Sequence, residues 1–102
     1  MLTSKQRVFL KAKAHALKPV LQIGKKGISE SLLKEAQAAL LAHELIKAKF
    51  SEYEDLQAEA QQLADGAEAE LVTVTGKVAI LYAPHPENPK LRLPKPPKNK
   101  DD

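Results

Sequence analysis

Segments with a helical spacing of apolar residues alternate with short strand-like segments along this chain of 102 residues, and that order limits the fold more than any other feature. Helices are predicted at residues 4 to 17, 29 to 43 and 52 to 65. Strands are predicted at residues 20 to 23 and 45 to 50, and a hairpin follows whose turn is Thr75-Gly76-Lys77. We therefore expect a single α+β domain, in the order helix-strand-helix-strand-helix-strand-strand, with a mixed four-stranded sheet.

Short local signals predict where the helices begin and end. Thr3 and Gln6 have the spacing of a capping box at the start of the first helix. Ser51 and Glu54 have the same spacing ahead of the third helix. Gly66 is expected to end the third helix in the left-handed conformation.

The second predicted strand, LIKAKF at residues 45 to 50, alternates between apolar and charged positions. Its even-numbered residues are all apolar, whereas two of the three odd-numbered residues are Lys47 and Lys49. Successive residues of a strand point to opposite faces of the sheet, so this strand should have one charged face. That face is either a row that contacts RNA or the solvated side of a half-buried strand.

Charge is distributed unevenly along the chain. Residues 1 to 30 contain seven basic residues and one acidic residue, whereas residues 31 to 70 contain three basic and nine acidic residues. The remaining residues contain six basic and three acidic ones. We expect a folded protein with a basic face suited to a polyanion and an acidic face elsewhere.

The residue types offer little for catalysis or metal binding. There is no cysteine, and the three histidines, His15, His43 and His85, lack the spacing of metal ligands. No nucleotide-binding glycine motif is present, so we expect neither an enzyme nor a cofactor, and a small phosphate-dependent enzyme is the weakest alternative. No apolar run is long enough to span a membrane and no secretory leader is seen, which predicts a cytoplasmic protein without membrane contact.

The loop Gly24-Lys25-Lys26-Gly27 is the strongest local signal of function. Its glycines permit close approach of another backbone, its lysines can pair with phosphate, and a predicted helix N-terminus that favours an anion follows it. The alternative is a turn that needs glycine only to reverse the chain, with solvated lysines.

Three segments together resemble the CRM domain, the chloroplast RNA splicing and ribosome maturation module, and in particular its stand-alone bacterial YhbY-type members. They are LTSKQRVFLKAKAHALKPVLQIGKKGIS, HELIKAKF and GKVAILYAP, and the resemblance extends over residues 2 to 94. It implies a fold similar to the C-terminal domain of translation initiation factor three. It also implies RNA binding through a basic face that includes the G-x-x-G loop, and association with ribosomal RNA in precursors of the large subunit (pre-50S particles).

The resemblance and the charge pattern together assign the candidate RNA-binding residues, which are Gly24, Lys25, Lys26, Gly27, Lys5, Arg7, Lys11, Lys13, Lys18 and Lys47. The RNA-binding domain is expected at residues 1 to 84, and residues 85 to 102 are interpreted as a Pro/Lys-rich tail. We expect a monomer with no small-molecule substrate. A protein-interaction module that uses the acidic third helix is the main alternative.

Overall fold

Helices and strands follow one another in the predicted order. The computed structural model describes residues 2–24, 27–51 and 55–94. Its elements are α1 (Ser4–Ala14), β1 (Leu21–Ile23), α2 (Glu30–His43), β2 (Leu45–Phe50), α3 (Leu56–Gly66), β3 (Glu70–Thr75) and β4 (Val78–Tyr82). The α+β class and the mixed four-stranded sheet are therefore confirmed.

The strand order in the sheet is β1-β2-β4-β3. β1 and β2 are parallel, whereas β4 is antiparallel to both of its neighbours. It follows that β1, β2 and β3 run in the same direction, as expected for strands joined by crossover helices. The sequence did not predict that β4 would lie between β2 and β3. Because of this order, β1 and β3 are the two edge strands of the sheet.

The helices cover opposite faces of this sheet. α2 and α3 pack on one face, over a cluster that includes Ile23, Ile46 and Phe50. α1 packs on the other face, where Leu10 and Leu45 belong to a second cluster. Successive residues Leu45 and Ile46 enter different clusters, which is the strand alternation that the sequence predicts. The sheet is the middle of three layers.

The capping box at α1 is confirmed, but the end of α1 is not where it was predicted. The Thr3 hydroxyl accepts from the Gln6 N–H at 3.1 Å, and the Gln6 side chain accepts from the Thr3 N–H at 3.0 Å. α1 ends at Ala14 instead of residue 17. Its apolar spacing continues to Leu17, but the Lys47 ammonium group donates to the Leu17 carbonyl at 2.9 Å, which draws this segment towards β2.

The predicted ends of α3 are also wrong. Asp55 is the N-cap, since its carboxylate accepts from the Ala58 N–H at 3.1 Å. Glu54 lies outside the described residues, and the Ser51 hydroxyl donates instead to the Ile23 carbonyl at 3.1 Å. At the other end Gly66 belongs to the helix, and the positive φ, 59°, occurs at Glu68.

The hairpin between β3 and β4 forms as predicted. Thr75 pairs with Val78, so the loop consists of Gly76 and Lys77. Gly76 has a φ of 59°, a conformation in which glycine is favoured over any residue with a side chain. This turn places Lys77 beyond the ends of the two strands.

The chain remains packed well beyond residue 84, where the domain was expected to end. We call residues 83–94 the strap. Leu91 and Leu93 pack against the α1 cluster, and the Gln6 side chain donates to the Pro94 carbonyl at 3.0 Å. A proline-rich segment can thus be ordered without secondary structure, because its side chains and carbonyls find partners on the domain. Residues 95 to 102 of the predicted tail lie outside the described residues.

Glu44 holds the strap in place with a buried carboxylate. Only 3% of this residue is exposed, and its two oxygens accept backbone N–H groups of His85 at 2.7 Å and of Lys90 and Leu91 at 2.9 Å each. Its own carbonyl accepts from the Ala83 N–H at 2.9 Å. Glu44 also has a φ of 66°, which is uncommon for a residue with a side chain, so the hydrogen bonds must offset a local backbone cost.

The pKa of the Glu44 carboxyl follows from these contacts. Burial acts to raise the pKa, but the hydrogen bonds from the strap, together with the charge of nearby His85, outweigh it, so the pKa lies below its usual value. The buried Tyr82 hydroxyl responds in the opposite way. Its pKa is raised by burial and by the negative charge of Glu44.

We expect Glu44→Gln to lower the free energy of unfolding at pH 7 by about 1–3 kcal/mol, because the amide NH₂ group would face a backbone N–H that now has an acceptor. Since the pKa of Glu44 is lowered by folding, its contribution is complete above the unfolded-state pKa of about 4.3 and is lost as the pH falls through the lower folded-state pKa. Urea unfolding of both proteins from pH 7 to pH 3 should show the difference shrinking in acid.

The matched control is Glu87→Gln, which makes the same chemical change at an exposed strap position. Its stability should stay within about 0.5 kcal/mol of the parent protein. Equal stabilities of the two variants at pH 7 would show that the Glu44 contacts do not hold the strap.

Candidate nucleic-acid interface

The two faces of the molecule carry opposite charge. α1 contains four basic residues and no acidic residue, whereas α2 and α3 together contain four acidic residues and one lysine. The basic residues of α1 are Lys5, Arg7, Lys11 and Lys13, and the acidic residues of α2 and α3 are Glu30, Glu35, Glu59 and Asp65. Because these helices lie on opposite faces of the sheet, charge that is segregated along the sequence is also segregated in space.

A row of four residues, three of them polar, crosses the sheet on its α1 face. Gln22 pairs with Lys49, Lys49 with Val78, and Val78 with Thr75. We call these four residues the open row. Val78 is half-buried and the other three are exposed, because α1 packs over the opposite end of the same face. Lys49 therefore lies near the centre of an uncovered sheet surface.

The G-x-x-G loop begins at the end of the sheet where the open row lies. β1, β2 and β3 run in the same direction, so three features lie at the same end of the sheet: the loop that follows β1, Ser51 after β2, and the Gly76-Lys77 turn after β3. The Phe50 N–H donates to the Lys77 carbonyl at 2.8 Å, which ties that turn to β2. The topology thus gathers the loop and two exposed lysines, Lys49 and Lys77, at one end of the α1 face.

Backbone hydrogen bonds shape the loop. The Gly27 N–H donates to the Gly24 carbonyl at 3.0 Å and closes a tight turn. Gly27 has a φ of 69°, so a side chain there would be strained although nothing lies within 4 Å of its Cβ position. Both the N–H and the hydroxyl of Ser51 donate to the Ile23 carbonyl, which anchors the start of the loop. Lys25 and Lys26 lie outside the described residues.

The N-terminus of α2 adds less to anion binding than the sequence suggested. The Ser29 hydroxyl accepts from the Leu32 N–H at 3.1 Å, and Glu30 lies in the first turn. A carboxylate in the first turn already interacts with the positive end of the helix dipole and repels a second anion. Attraction for phosphate at this end of the sheet must therefore come mainly from lysine side chains.

The Arg7 guanidinium group donates hydrogen bonds to backbone carbonyls of the protein itself. Its Nη1 donates to the Leu71 carbonyl at 2.6 Å and to the Val72 carbonyl at 2.7 Å. These carbonyls lie at the irregularity in β3 between Leu71 and Thr73. The guanidinium group thus fastens α1 to the edge of the sheet, and a contact of Arg7 with RNA stays a prediction.

Lys47 and Lys49 differ although they point to the same face of β2. The Lys47 Nζ donates to the Leu17 carbonyl at 2.9 Å and to the His15 carbonyl at 3.4 Å, and its side chain is half-buried. Lys49 is exposed. The structure therefore gives Lys47 a role in packing the segment after α1, and a contact of Lys47 with RNA stays a prediction. It places Lys49, which the sequence analysis weighed but did not select, at the open surface.

The predicted basic residues of α1 do not form one stripe. Lys5, Lys11 and Lys13 are all exposed, but an α-helix turns by about 100° per residue, so Lys11 and Lys13 project about 200° apart. The Lys13 Nζ lies 5.6 Å from the centre of the Phe9 ring, and Lys13 borders a cleft that Lys18 also lines. Lys11 therefore lies on another side of α1, whereas Lys5, two turns before Lys13, differs from it in direction by only about 80°.

Sequence reasoning missed Gln22, Thr75 and Lys77 as members of this surface. The hairpin pattern predicts the turn that holds Lys77, but its position next to β2 depends on the insertion of β4 between β2 and β3. Gln22 lies in a strand of three residues whose pairing register is not visible in the sequence. Neither Lys77 nor Gln22 could be assigned to the surface without the order of the strands in the sheet.

Two negative findings apply to residues 2–24, 27–51 and 55–94. No group of three or more histidine and carboxylate side chains there could hold a metal ion. No helix within these ranges is both long and apolar enough to cross a membrane.

Comparison with known sequences identifies relatives over almost the whole chain. The CRS1/YhbY (CRM) domain family matches residues 2–83. The "Probable RNA-binding protein YqeI" of Bacillus subtilis is 40% identical over 96 residues, which cover 92% of this chain and 100% of YqeI. The "Probable RNA-binding protein MJ0652" of Methanocaldococcus jannaschii is 43% identical over 103 residues, covering 97% of this chain and 75% of that protein.

A solved structure has the same fold. The solution structure of the protein SAV1595 from Staphylococcus aureus matches with a TM-score of 0.79 and 36% sequence identity. The match covers 92% of this chain and all of that chain. The three-layer arrangement is therefore shared with an experimentally determined relative.

We expect Lys47→Met to lower the free energy of unfolding by about 0.5–1.5 kcal/mol, because the carbonyls of the segment after α1 would no longer have their donor. The control is Lys49→Met, which removes the same charge two residues along the same face and should stay within about 0.5 kcal/mol of the parent. Urea unfolding at neutral pH measures both. Identical losses of stability in the two variants would contradict the packing role of Lys47.

Proposed function

Since the chain belongs to the CRS1/YhbY (CRM) domain family, we propose that it is a non-enzymatic, cytoplasmic RNA-binding protein that associates with ribosomal RNA in precursors of the large ribosomal subunit. The observation that carries RNA binding is the separation of charge across the sheet, with the open row left uncovered on the basic side. The ribosomal target is supported by the resemblance to YhbY-type proteins. Two relatives named as probable RNA-binding proteins support the same molecular role.

The surface suits contact with the RNA backbone more than with base edges. Lys49 and Lys77 are exposed cations at one end of the α1 face. The loop that begins with Gly24 at the same end of the sheet includes Lys25 and Lys26 in its sequence. Ammonium groups that neutralise phosphates release counterions, which supplies affinity without sequence preference. Gln22 can hydrogen-bond sugar and phosphate oxygens.

The acidic face orients the protein on the RNA. Carboxylates on α2 and α3 would repel phosphate, so the molecule docks with α1 and the open row towards the RNA. The opposite face then remains available to solvent or protein.

A protein-interaction module is the second candidate, and one observation favours it. A groove between α2 and α3 has a mixed lining that includes Leu33 and the carboxylates Glu30 and Asp65. An acidic groove with apolar residues would suit a basic protein segment. Association partners that survive ribonuclease treatment would support this function over RNA binding.

We expect the double variant Lys25→Ala, Lys26→Ala to weaken RNA binding for all sequences and to reduce the slope of log affinity against log salt by roughly one unit for each phosphate that the variant no longer neutralises. Lys49→Ala should reduce the slope by about one unit for the same reason. Fluorescence anisotropy with a ribosomal RNA hairpin at several salt concentrations measures the slope. Lys34→Ala, which removes a lysine from the acidic face, is the matched control and should leave the slope unchanged.

For the ribosomal target, we expect the tagged protein to sediment with free large-subunit precursors and to crosslink to their RNA. Gradient sedimentation of a cell lysate followed by crosslinking and sequencing checks this. Recovery of other RNAs alone would overturn the ribosomal part of the proposal. Recovery of no RNA above background would overturn RNA binding itself.

A further inference from the structure

A cleft of about 470 Å³ opens beside the C-terminal end of α1. Its apolar lining includes Leu17 and Val20 from the segment between α1 and β1, and Leu91 from the strap. Leu17 is 40% exposed and Val20 is 45% exposed, so both leave apolar surface in contact with solvent. The volume falls within the range of small-molecule and cofactor sites.

Two lysines and one imidazole border this apolar lining. Lys13, Lys18 and His43 are the other exposed residues of the cleft, and none of its described lining residues is acidic. An occupant that complements the cleft therefore needs a flat or compact apolar body with negative charge close by. A nucleotide in an RNA chain has this chemistry, since its base has an apolar face and its phosphates are anionic.

We propose that the cleft receives one unpaired base of the bound RNA, stacked against His43 and Leu17, with the flanking phosphates at Lys13 and Lys18. This inference rests on the proposed RNA binding and adds a preference for unpaired or bulged nucleotides. A base within a duplex would have to leave its stack before it could enter the cleft.

The position of the cleft lets one RNA chain reach both the cleft and the G-x-x-G loop. β1 is an edge strand, with Val20 just before it and Gly24 just after it. These residues are four positions apart, or about 13 Å at the rise of a β-strand. A single strand that follows the open edge of β1 can place phosphates near the loop and a base in the cleft.

The cleft is held open by contacts within the protein. The Lys47 ammonium group binds the Leu17 carbonyl at 2.9 Å, and the Glu44 carboxylate binds the Leu91 N–H at 2.9 Å. The Lys13 ammonium group rests 5.6 Å from the centre of the Phe9 ring. These two hydrogen bonds fix the backbone of Leu17 and Leu91 beside the cleft before RNA binds, which lowers the entropy cost of binding there.

The test compares two RNA hairpins that differ by one bulged nucleotide. The parent protein should bind the bulged hairpin about tenfold more tightly than the fully paired hairpin, in line with the stacking contribution of a single base. Leu17→Glu should abolish this preference, because it places a carboxylate in the cleft. Binding to the paired hairpin should weaken only to the extent seen for the control.

The matched control is Leu41→Glu, which changes another exposed leucine, 54% exposed and on α2 outside the cleft, in the same way. It should keep the tenfold preference. If Leu17→Glu does not fold, as judged by its thermal unfolding, His43→Ala replaces it, because an exposed histidine can be truncated without loss of core packing. Its preference should fall at least threefold.

A direct readout is available from photocrosslinking. A 4-thiouridine at the bulge should crosslink to the peptide that contains residues 13–20 or to His43. Absence of any preference in the parent protein, or a preference that survives both cleft variants, would overturn the cleft proposal while RNA binding stands. Failure of the parent protein to bind either hairpin would instead overturn the proposed function.

Discussion

The alternation of β2 is the constraint on which the rest of the structure depends. β2 is the strand that pairs with both β1 and β4, so its side chains contribute to both faces in the middle of the sheet. Ile46, Ala48 and Phe50 are almost fully buried under α2 and α3. A shift of one residue in register would place Lys47 and Lys49 in that core, at a cost of several kcal/mol for each unpaired buried charge. The fold and the basic face are therefore specified together.

The same alternation explains why neighbouring lysines have different roles. α1 crosses only part of its face of the sheet, from Arg7 at β3 to the segment that Lys47 holds near β2. Lys47 donates to carbonyls of the segment that follows α1, whereas Lys49 lies past the helix and stays exposed. The solvent exposure of a cationic side chain, more than its charge, then determines whether it can bind phosphate. A cation that already donates hydrogen bonds to protein carbonyls must break those bonds first.

A buried carboxylate links the strap to the proposed RNA surface. Glu44 accepts three backbone N–H groups, and one of them belongs to Leu91, which lines the cleft. The desolvation of this charge and the positive φ of Glu44 both cost free energy. The strap stays packed because its N–H groups make charge-assisted hydrogen bonds to Glu44, which are stronger than neutral hydrogen bonds. The hydrogen bonds of Glu44 thus contribute both to the stability of the fold and to the shape of the cleft.

Much of this architecture was determined by the sequence alone. Local periodicity predicted the order of elements, the capping box at Thr3 and the hairpin turn at Gly76, since each depends on residues a few positions apart. The tertiary structure decided the insertion of β4 into the sheet, the separate fates of Lys47 and Lys49, and the packing of the strap on Glu44. These features depend on contacts between residues that are distant in sequence. A local pattern of residue types does not show which distant group will form a hydrogen bond with a given side chain or pack against it in the core.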